Sequence, residues 1–199
     1  MPIKFLDEEQ ADPQLYAFYG DAGVGKTRLV SQATKVYGKT LYINKLGGPQ
    51  SIVDRLKLRE AGLLEEAEIS RVEDVLTMTP AWCDERKFKA VIFDKYSAEI
   101  SANVLTKLAG ASDTRAVYGE NMRECLRGLS HLQTLRRPVF LVLGEDYDKD
   151  EIGAMWWFPD LPGQLKYKFT EYVSLLARIT VREDIKTGAI RRVQVQKTG

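Results

Sequence analysis

The chain has 199 residues, of which 44% are hydrophobic and 29% charged, a balance that is ordinary for a folded globular protein and excludes a disordered chain. Its 29 Lys and Arg residues are offset by 28 Asp and Glu residues, which gives a formal net charge of +1. This balance excludes a uniformly basic surface, so a nucleic acid could bind only through a local patch or through loops.

The predicted elements of the first 143 residues alternate between strands and helices. Short apolar runs without polar alternation indicate buried strands, and apolar residues at i, i+3 and i+4 indicate helices. In chain order we predict a strand at 15–19, a helix at 27–37, a strand at 40–44, a helix at 51–69 broken near Gly62, a short helix from Pro80 with Thr79 as its cap, a strand at 90–94, a helix at 97–108, a loop at 111–119, a helix at 120–135 and a strand at 139–143.

The last part of the chain has a different pattern. Residues 145–163 are first acidic and then aromatic, and we predict a long irregular segment of the kind that usually carries function. Strands are expected at 172–183 and 189–196, joined by a turn at 186–188. The whole order predicts an α/β fold with a mainly parallel sheet flanked by helices, and a C-terminal antiparallel hairpin at one edge.

The cysteines and the N-terminal residues bear on the cellular setting. Cys83 and Cys125 lack Cys-x-x-Cys spacing and are accompanied by one histidine, so we expect reduced core thiols and no zinc site. Residues 1–13 are acidic, and no apolar run reaches the ~18 residues of a membrane span. We therefore expect a cytoplasmic protein without membrane contact, with an N-terminal extension at 1–13 and one domain at 14–199.

The strongest motif is a phosphate-binding loop. Residues 20–27 match the pattern Gly-x-x-x-x-Gly-Lys-Ser/Thr between a predicted strand and a predicted helix, which is the context this mechanism requires. Its backbone N–H groups and the helix start would hold phosphate oxygens, Lys26 would reach the β- and γ-phosphates, and the Thr27 hydroxyl would bind Mg²⁺. The predicted nucleotide-binding residues are Gly20, Asp21, Ala22, Gly23, Val24, Gly25, Lys26, Thr27 and Arg28.

An acidic residue should end a buried strand beside this loop. Asp94 does so after Val-Ile-Phe and is predicted to hold the Mg²⁺ together with Thr27. Taken alone, an aspartate after a strand could equally cap the next helix. The combination with a phosphate loop favours the metal-binding role.

Three classes of phosphate-loop protein fit poorly. Residues 44–47, Asn-Lys-Leu-Gly, lack the aspartate with which a Ras-type GTPase reads its base. Residues 161–164 follow the acidic strand and are not the serine-rich signature of a transporter ATPase, and residues 146–153 are acidic where a nucleotide kinase carries an arginine-rich lid.

What remains resembles the RecA-like ATPase core and, more closely, the phage-encoded nucleotide-binding proteins of the Sak single-strand annealing group. The resemblance covers residues 14–196 and rests on LYAFYG, VIFDKYS, YGENMRECLRGL, VFLVLGEDYDKDE and PDLPGQ. It implies a RecA-like domain that binds ATP and Mg²⁺ and handles single-stranded DNA during recombination or annealing. It further implies a homo-oligomer, a single-strand DNA-binding protein as a partner, and the host cytoplasm as the location.

The chain departs from that family where a catalytic glutamate is expected after the second strand. Leu46 stands there, and a leucine cannot accept a proton or order a water molecule. Glu145, at the end of the fourth predicted strand, could substitute, or it could be a solvated loop acid. We therefore expect Lys26 and Glu145 as catalytic residues of a weak DNA-dependent ATPase, with binding without hydrolysis as the competing interpretation.

The resemblance places the DNA surface in the loops at 110–119 and 145–163. Aromatic faces can stack on bases and cations can pair with phosphates. The candidates are Arg115, Lys149, Trp156, Trp157, Phe158, Lys166 and Lys168. The three aromatic residues could instead fill the core or a subunit interface. Arg191 and Arg192 could reach a neighbouring subunit's γ-phosphate, or could protect an edge strand by their charge.

Two functions of other classes stay open. The first is a nucleotide-gated binding or scaffold module with little or no hydrolysis, which Leu46 favours. The second is a small-molecule phosphotransferase.

Overall fold

The computed structural model describes residues 15–44, 52–184 and 188–196. The predicted extension at 1–13, the leucine at the glutamate position, Leu46, and the centre of the predicted final turn lie outside the described residues.

The described strands confirm the predicted fold class. A seven-stranded sheet has the order β3-β2-β4-β5-β1-β8-β9, in which β9 is antiparallel to β8 and the other neighbouring strands are parallel. A separate antiparallel pair is formed by β6 and β7. The strands are β1 Leu15–Tyr19, β2 Thr40–Ile43, β3 Leu64–Ala67, β4 Ala90–Phe93, β5 Val139–Val142, β6 Glu145–Lys149, β7 Met155–Pro159, β8 Leu175–Asp184 and β9 Gly188–Gln196.

Helices cover both faces of the sheet, which is why β2, β4 and β5 are buried along their whole length and show no polar alternation. The larger core lies on the face of Leu15, Ala17 and Tyr19, and the smaller one on the face of Tyr16 and Phe18. The helices are α1 Lys26–Val30, α2 Ala33–Tyr37, α3 Arg55–Glu60, α4 Pro80–Glu85, α5 Tyr96–Leu108, α6 Thr114–Gln133 and α7 Leu165–Lys168, with 3₁₀ turns at Val72–Thr77 and Phe169–Glu171. None of the helices within the described ranges is long and apolar enough to cross a bilayer.

The predicted helix at 51–69 is wrong in its second half, where β3 pairs in parallel with β2 at the sheet edge. The sequence Leu-Glu-Glu-Ala has helical composition, but its two acids have partners in the tertiary structure. Glu66 accepts two hydrogen bonds from Arg55 at 2.6 Å, and Glu65 pairs with Lys39 at 3.0 Å. Packing at the sheet edge overrides the local preference.

The predicted single helix at 27–37 is divided into α1 and α2. Between them the Gln32 amide bonds to the Leu29 carbonyl, three residues back, and the Ser31 hydroxyl donates to the Arg28 carbonyl at 2.8 Å. A serine hydroxyl that bonds backward tightens or bends a helix in this way. The turn leaves the helical path nearly continuous.

Helix α6 begins six residues before the predicted start, so the loop predicted at 111–119 is largely helical. The Asp113 carboxylate caps it by accepting from the amides of Arg115 and Ala116 at 2.9 and 3.2 Å. The longer helix places Arg115 and Tyr118 on successive turns of one face.

Candidate nucleotide-binding site

The strand order brings the phosphate loop and the acidic strand end to one edge of the sheet. Strands β1 and β4 lie on either side of β5, and all three are parallel. The Thr27 hydroxyl lies 3.1 and 3.0 Å from the two carboxylate oxygens of Asp94. The two residues that the sequence assigns to Mg²⁺ are therefore in contact, 67 positions apart in the chain.

Asp94 is buried and surrounded by hydrogen-bond donors. Besides Thr27, the Tyr42 hydroxyl donates to one carboxylate oxygen and the Lys95 amide donates to the other at 3.0 Å. Burial and the adjacent Asp94 carboxylate raise the pKa of Tyr42 far above its usual value, so this hydroxyl stays a donor. Three donors fix the direction of the carboxylate toward the loop.

The backbone of the loop has conformations that only glycine adopts easily. Gly20 has φ 152°, and a Cβ atom there would lie 2.3 Å from the Ile179 carbonyl oxygen on β8. Gly25 has φ 95° directly before α1. Strand β8 therefore packs closely against the start of the loop.

The Lys26 ammonium lies across the loop, where it donates to the carbonyls of Gly20 and Asp21 at 2.6 and 2.7 Å. Burial lowers the pKa of Lys26, while the carboxylates of Asp94, Asp21 and Glu145 act in the opposite direction. This cation is thus placed over the inside of the loop. Of the other predicted nucleotide-binding residues, Val24 is buried and Asp21, Ala22, Gly23 and Arg28 are exposed.

The donor set fits a nucleotide with Mg²⁺. A threonine hydroxyl and a carboxylate are oxygen ligands of the type that Mg²⁺ takes beside phosphate oxygens. The glycines at positions 20, 23 and 25, all with positive φ, leave the loop backbone without side chains that would fill the cradle. Thr27 and Asp94 would hold the metal, and Lys26 would hold the phosphates; these roles remain predictions.

Glu145 is the first residue of β6, the strand that follows β5 in the chain, and it is held in an ion pair. Its carboxylate accepts from Arg178 Nε at 2.5 Å and from Arg178 Nη2 at 3.1 Å. The two side chains are only 7% and 18% exposed, so Glu145 is not a solvated loop acid. Both of its carboxylate oxygens already accept from the guanidinium, which leaves Glu145 less free to hold a water molecule.

Residues 145–159, predicted to be irregular, form the β6–β7 hairpin. Trp157 fixes its base: the Arg178 guanidinium lies 4.1 Å from its ring centre, and the Tyr19 hydroxyl donates to its carbonyl at 3.3 Å. Tyr147 packs against the same ring at 5.3 Å. Trp157 is therefore packed against its neighbours, which agrees with the interpretation that these aromatic residues fill the core.

The other DNA-binding candidates divide into packed and exposed residues. Lys166 lies 3.9 Å above the Phe158 ring and 3.8 Å from the Asp148 carboxylate, so both members of this cation–π pair are engaged within the hairpin region. Trp156 is 64% exposed. The exposed cations among the candidates are Arg115, Lys149 and Lys168.

Two motifs that carry the family resemblance meet in space. Tyr118 and Gly119 on α6 line a cavity of about 180 Å³ together with Pro162, Gly163 and Gln164. The start of α6, which bears Arg115 one turn earlier, thus lies beside the segment that follows the β6–β7 hairpin.

Three contacts of the site are not predicted by the sequence pattern. The pattern places Tyr42 in a strand but does not indicate its hydrogen bond to Asp94, and it assigns no function to Arg178, which binds Glu145. Arg191 was expected to reach a neighbouring subunit or to protect an edge strand by its charge, whereas its Nε donates to the Val24 carbonyl of its own loop at 3.0 Å. Sequence pattern gives no signal for these contacts, because each depends on which strands become neighbours in the sheet.

These features define a P-loop ATPase-type domain with RecA-like topology. They are a phosphate loop between a strand and a helix, an aspartate at the end of a neighbouring strand in contact with the threonine of that loop, and a mainly parallel sheet. The chain matches the family model described as AAA domain over residues 12–198, and it belongs to that family.

Among solved structures, the chain is similar to a KaiC-like protein from the hyperthermophilic archaeon Pyrococcus horikoshii, with a TM-score of 0.58. The sequences are 12% identical, and the alignment covers 94% of this chain and 80% of that chain. At this identity the likeness shows the fold alone. No match is found among curated proteins.

Proposed function

We propose that this chain binds ATP with Mg²⁺ and acts on single-stranded DNA in recombination or strand annealing of the phage Sak type. The observation that carries the nucleotide part is the contact of the Thr27 hydroxyl with the Asp94 carboxylate at 3.0–3.1 Å beside a glycine-rich loop. The DNA part rests on the sequence resemblance and on the exposed aromatic and basic residues near the same sheet edge.

Each residue of the site has a definite task in this proposal. The loop amides hold the phosphates, and Lys26 exchanges its bonds to the Gly20 and Asp21 carbonyls for bonds to phosphate oxygens. Thr27 and Asp94 hold Mg²⁺, which neutralises phosphate charge when bound. Tyr42 keeps the Asp94 carboxylate oriented.

Slow turnover follows from the state of Glu145. Its two oxygens are bound to Arg178, so it orders an attacking water poorly unless that pair opens. This observation favours nucleotide binding as the main event, with hydrolysis as a weak activity. A steady-state ATPase assay with single-stranded DNA tests it: turnover well above ~1 per second would contradict the proposal.

The nucleotide part is tested by equilibrium titration of the wild type and of Lys26→Ala with a fluorescent ATP analogue, with and without Mg²⁺. We expect micromolar-range binding that depends on Mg²⁺ and is lost in Lys26→Ala. Thr27→Ser is the matched variant because it keeps the hydroxyl, and Thr27→Val removes it. Equal affinity of Thr27→Ser and Thr27→Val would contradict the metal-binding role.

The DNA surface is proposed to consist of Trp156, Lys149, Lys168 and Arg115, since Trp157, Phe158 and Lys166 are engaged in packing. Stacking of a base on an aromatic side chain contributes ~1–3 kcal/mol, so Trp156→Ala should weaken binding of an oligothymidine about 5–150-fold. Trp156→Phe, which keeps an aromatic face, should retain most of the affinity. If both variants bind like the wild type, the hairpin is not the DNA surface.

The proposed assembly is a homo-oligomer that works with a single-strand DNA-binding protein. This part of the proposal rests on the sequence resemblance, whose motifs at Tyr118–Gly119 and residues 162–164 line one cavity. Light scattering with and without ATP and single-stranded DNA tests this; a monomer under all conditions would remove the assembly part.

A further inference from the structure

The C-terminal hairpin β8–β9 forms one wall of the phosphate loop. In its register Val181 lies opposite Arg191 and Thr180 lies opposite Arg192, so the two arginines are on opposite faces of β9. The Arg191 side chain reaches the loop: its Nε donates to the Val24 carbonyl, and a Cβ atom on Gly25 would lie 2.7 Å from that Nε. Arg191 thus touches Val24 and Gly25, the two residues that precede Lys26 in the loop.

Arg191 also borders a cavity of about 460 Å³, a size within the ~300–1,000 Å³ that is typical of small-molecule sites. One face of the helix after the loop and the side chain of Val53 form its other walls. The lining residues are Gly25, Arg28, Leu29, Gln32, Lys35, Val53 and Arg191. They combine three cations and two aliphatic side chains, with no carboxylate among them.

The position of this cavity relative to Thr27 and Asp94, the residues predicted to hold Mg²⁺, indicates which part of a nucleotide it could hold. Lys26, Thr27 and Asp94 mark the end of the loop where the γ-phosphate and Mg²⁺ would lie, and none of them lines the cavity. Gly25 and Arg28, which flank Lys26 and Thr27 in the chain, face the cavity instead, so a triphosphate held by Lys26 and Thr27 would have its α-phosphate and ribose on the side of the cavity.

We propose that Arg191 binds the nucleotide of its own chain, next to the α-phosphate and ribose, and that the cavity it borders holds the nucleoside. This inference rests on the proposed nucleotide binding. The guanidinium has five N–H donors, and among the described residues only the Val24 carbonyl is recorded as its partner, through Nε. The terminal nitrogens are then the donors for the ligand, while the Nε bond keeps the side chain against the loop.

The test compares Arg191→Ala with Arg192→Ala, which removes the same charge from the opposite face of the same strand. The affinities for ATP, ADP and inorganic pyrophosphate, which lacks the α-phosphate and ribose, are measured by calorimetry. We expect Arg191→Ala to weaken ATP and ADP about tenfold, with a much smaller effect on pyrophosphate, and Arg192→Ala to leave all three unchanged. Arg191→Lys should recover part of the affinity.

The outcomes separate this inference from the proposed function. If the wild type binds none of the three ligands, both fail. If the wild type binds ATP and Arg191→Ala matches Arg192→Ala, or binds more tightly than the wild type, only the role of Arg191 fails. An equal loss for ATP and pyrophosphate would show that the substitution merely disturbs the loop, which also overturns the inference.

A mixing experiment distinguishes action within one chain from action on a neighbour. Lys26→Ala chains keep Arg191 but lack the loop lysine, and Arg191→Ala chains have the reverse. If Arg191 acts within its own chain, an equimolar mixture binds ATP no more tightly than Arg191→Ala alone. Recovery of wild-type affinity in a fraction of the sites would assign Arg191 to the neighbouring subunit and overturn the inference.

Discussion

The ion pair between Arg178 and Glu145 gives a quantitative prediction. Replacing Arg178 by methionine keeps most of the apolar volume but leaves the Glu145 carboxylate, whose side chain is 7% exposed, without the guanidinium that binds both oxygens. Breaking a buried pair from one side costs about 3–5 kcal/mol. The ring of Trp157 also loses a cation at 4.1 Å, which adds roughly 0.5–2 kcal/mol. We expect a total destabilisation of about 3.5–7 kcal/mol.

Urea denaturation followed by tryptophan fluorescence measures this cost. Glu145→Gln and the double variant Glu145→Gln/Arg178→Met complete a double-mutant cycle, and the double variant should be more stable than the sum of the single costs predicts. Lys57→Met is the control, because its pair with Asp54 spans 3.7 Å and is 83% and 47% exposed, which limits its cost to less than about 1 kcal/mol. Additive single costs, or an Arg178→Met cost no larger than that of Lys57→Met, would refute the reasoning.

Three further predictions concern the rest of the fold. Burial raises the pKa of the Cys125 thiol to about 12, whereas the thiol of the unfolded chain ionises near pH ~8.5. The free energy of unfolding should therefore fall between about pH 9 and 12. The fall should be smaller in Cys125→Ala, which has no thiol. The hydrogen bonds from Arg55 lower the pKa of Glu66. The pair therefore stabilises the fold above about pH 4.3 and loses this effect as the pH falls further. In urea titrations, the free energy of unfolding of Glu66→Gln should depend less on pH in the acid range, by less than about 1 kcal/mol. Asp113→Ala removes the cap of α6 and should cost about 1 kcal/mol in thermal unfolding, whereas Asp113→Asn should cost little.

The phosphate loop and Asp94 could be located from the sequence because each is a short local pattern with a required context. A glycine-rich turn between a strand and a helix, and an acid after a buried strand, are both visible without knowing the sheet order. The parallel arrangement was likewise predictable from strands that lack polar alternation.

The parts that escaped prediction depend on contacts between distant residues. Strand β3 has a helical composition and is held as a strand by Arg55 and Lys39. The β6–β7 hairpin is fixed by Trp157 against Arg178, which lies 21 positions later in the chain. The contacts of Tyr42 and Arg191 likewise follow from the neighbours that the sheet order gives to β2 and β9.

The wall that β8 and β9 build against the phosphate loop has a consequence for the biogenesis of the protein. Val24 and Arg191 are separated by 167 positions, and their contact forms only after all of the intervening residues have left the ribosome. At a synthesis rate of ~5–20 residues per second, the loop sequence emerges on the order of ten seconds or more before its last wall exists. A nascent chain therefore carries the phosphate loop well before the strand that packs against one side of the loop has been synthesised.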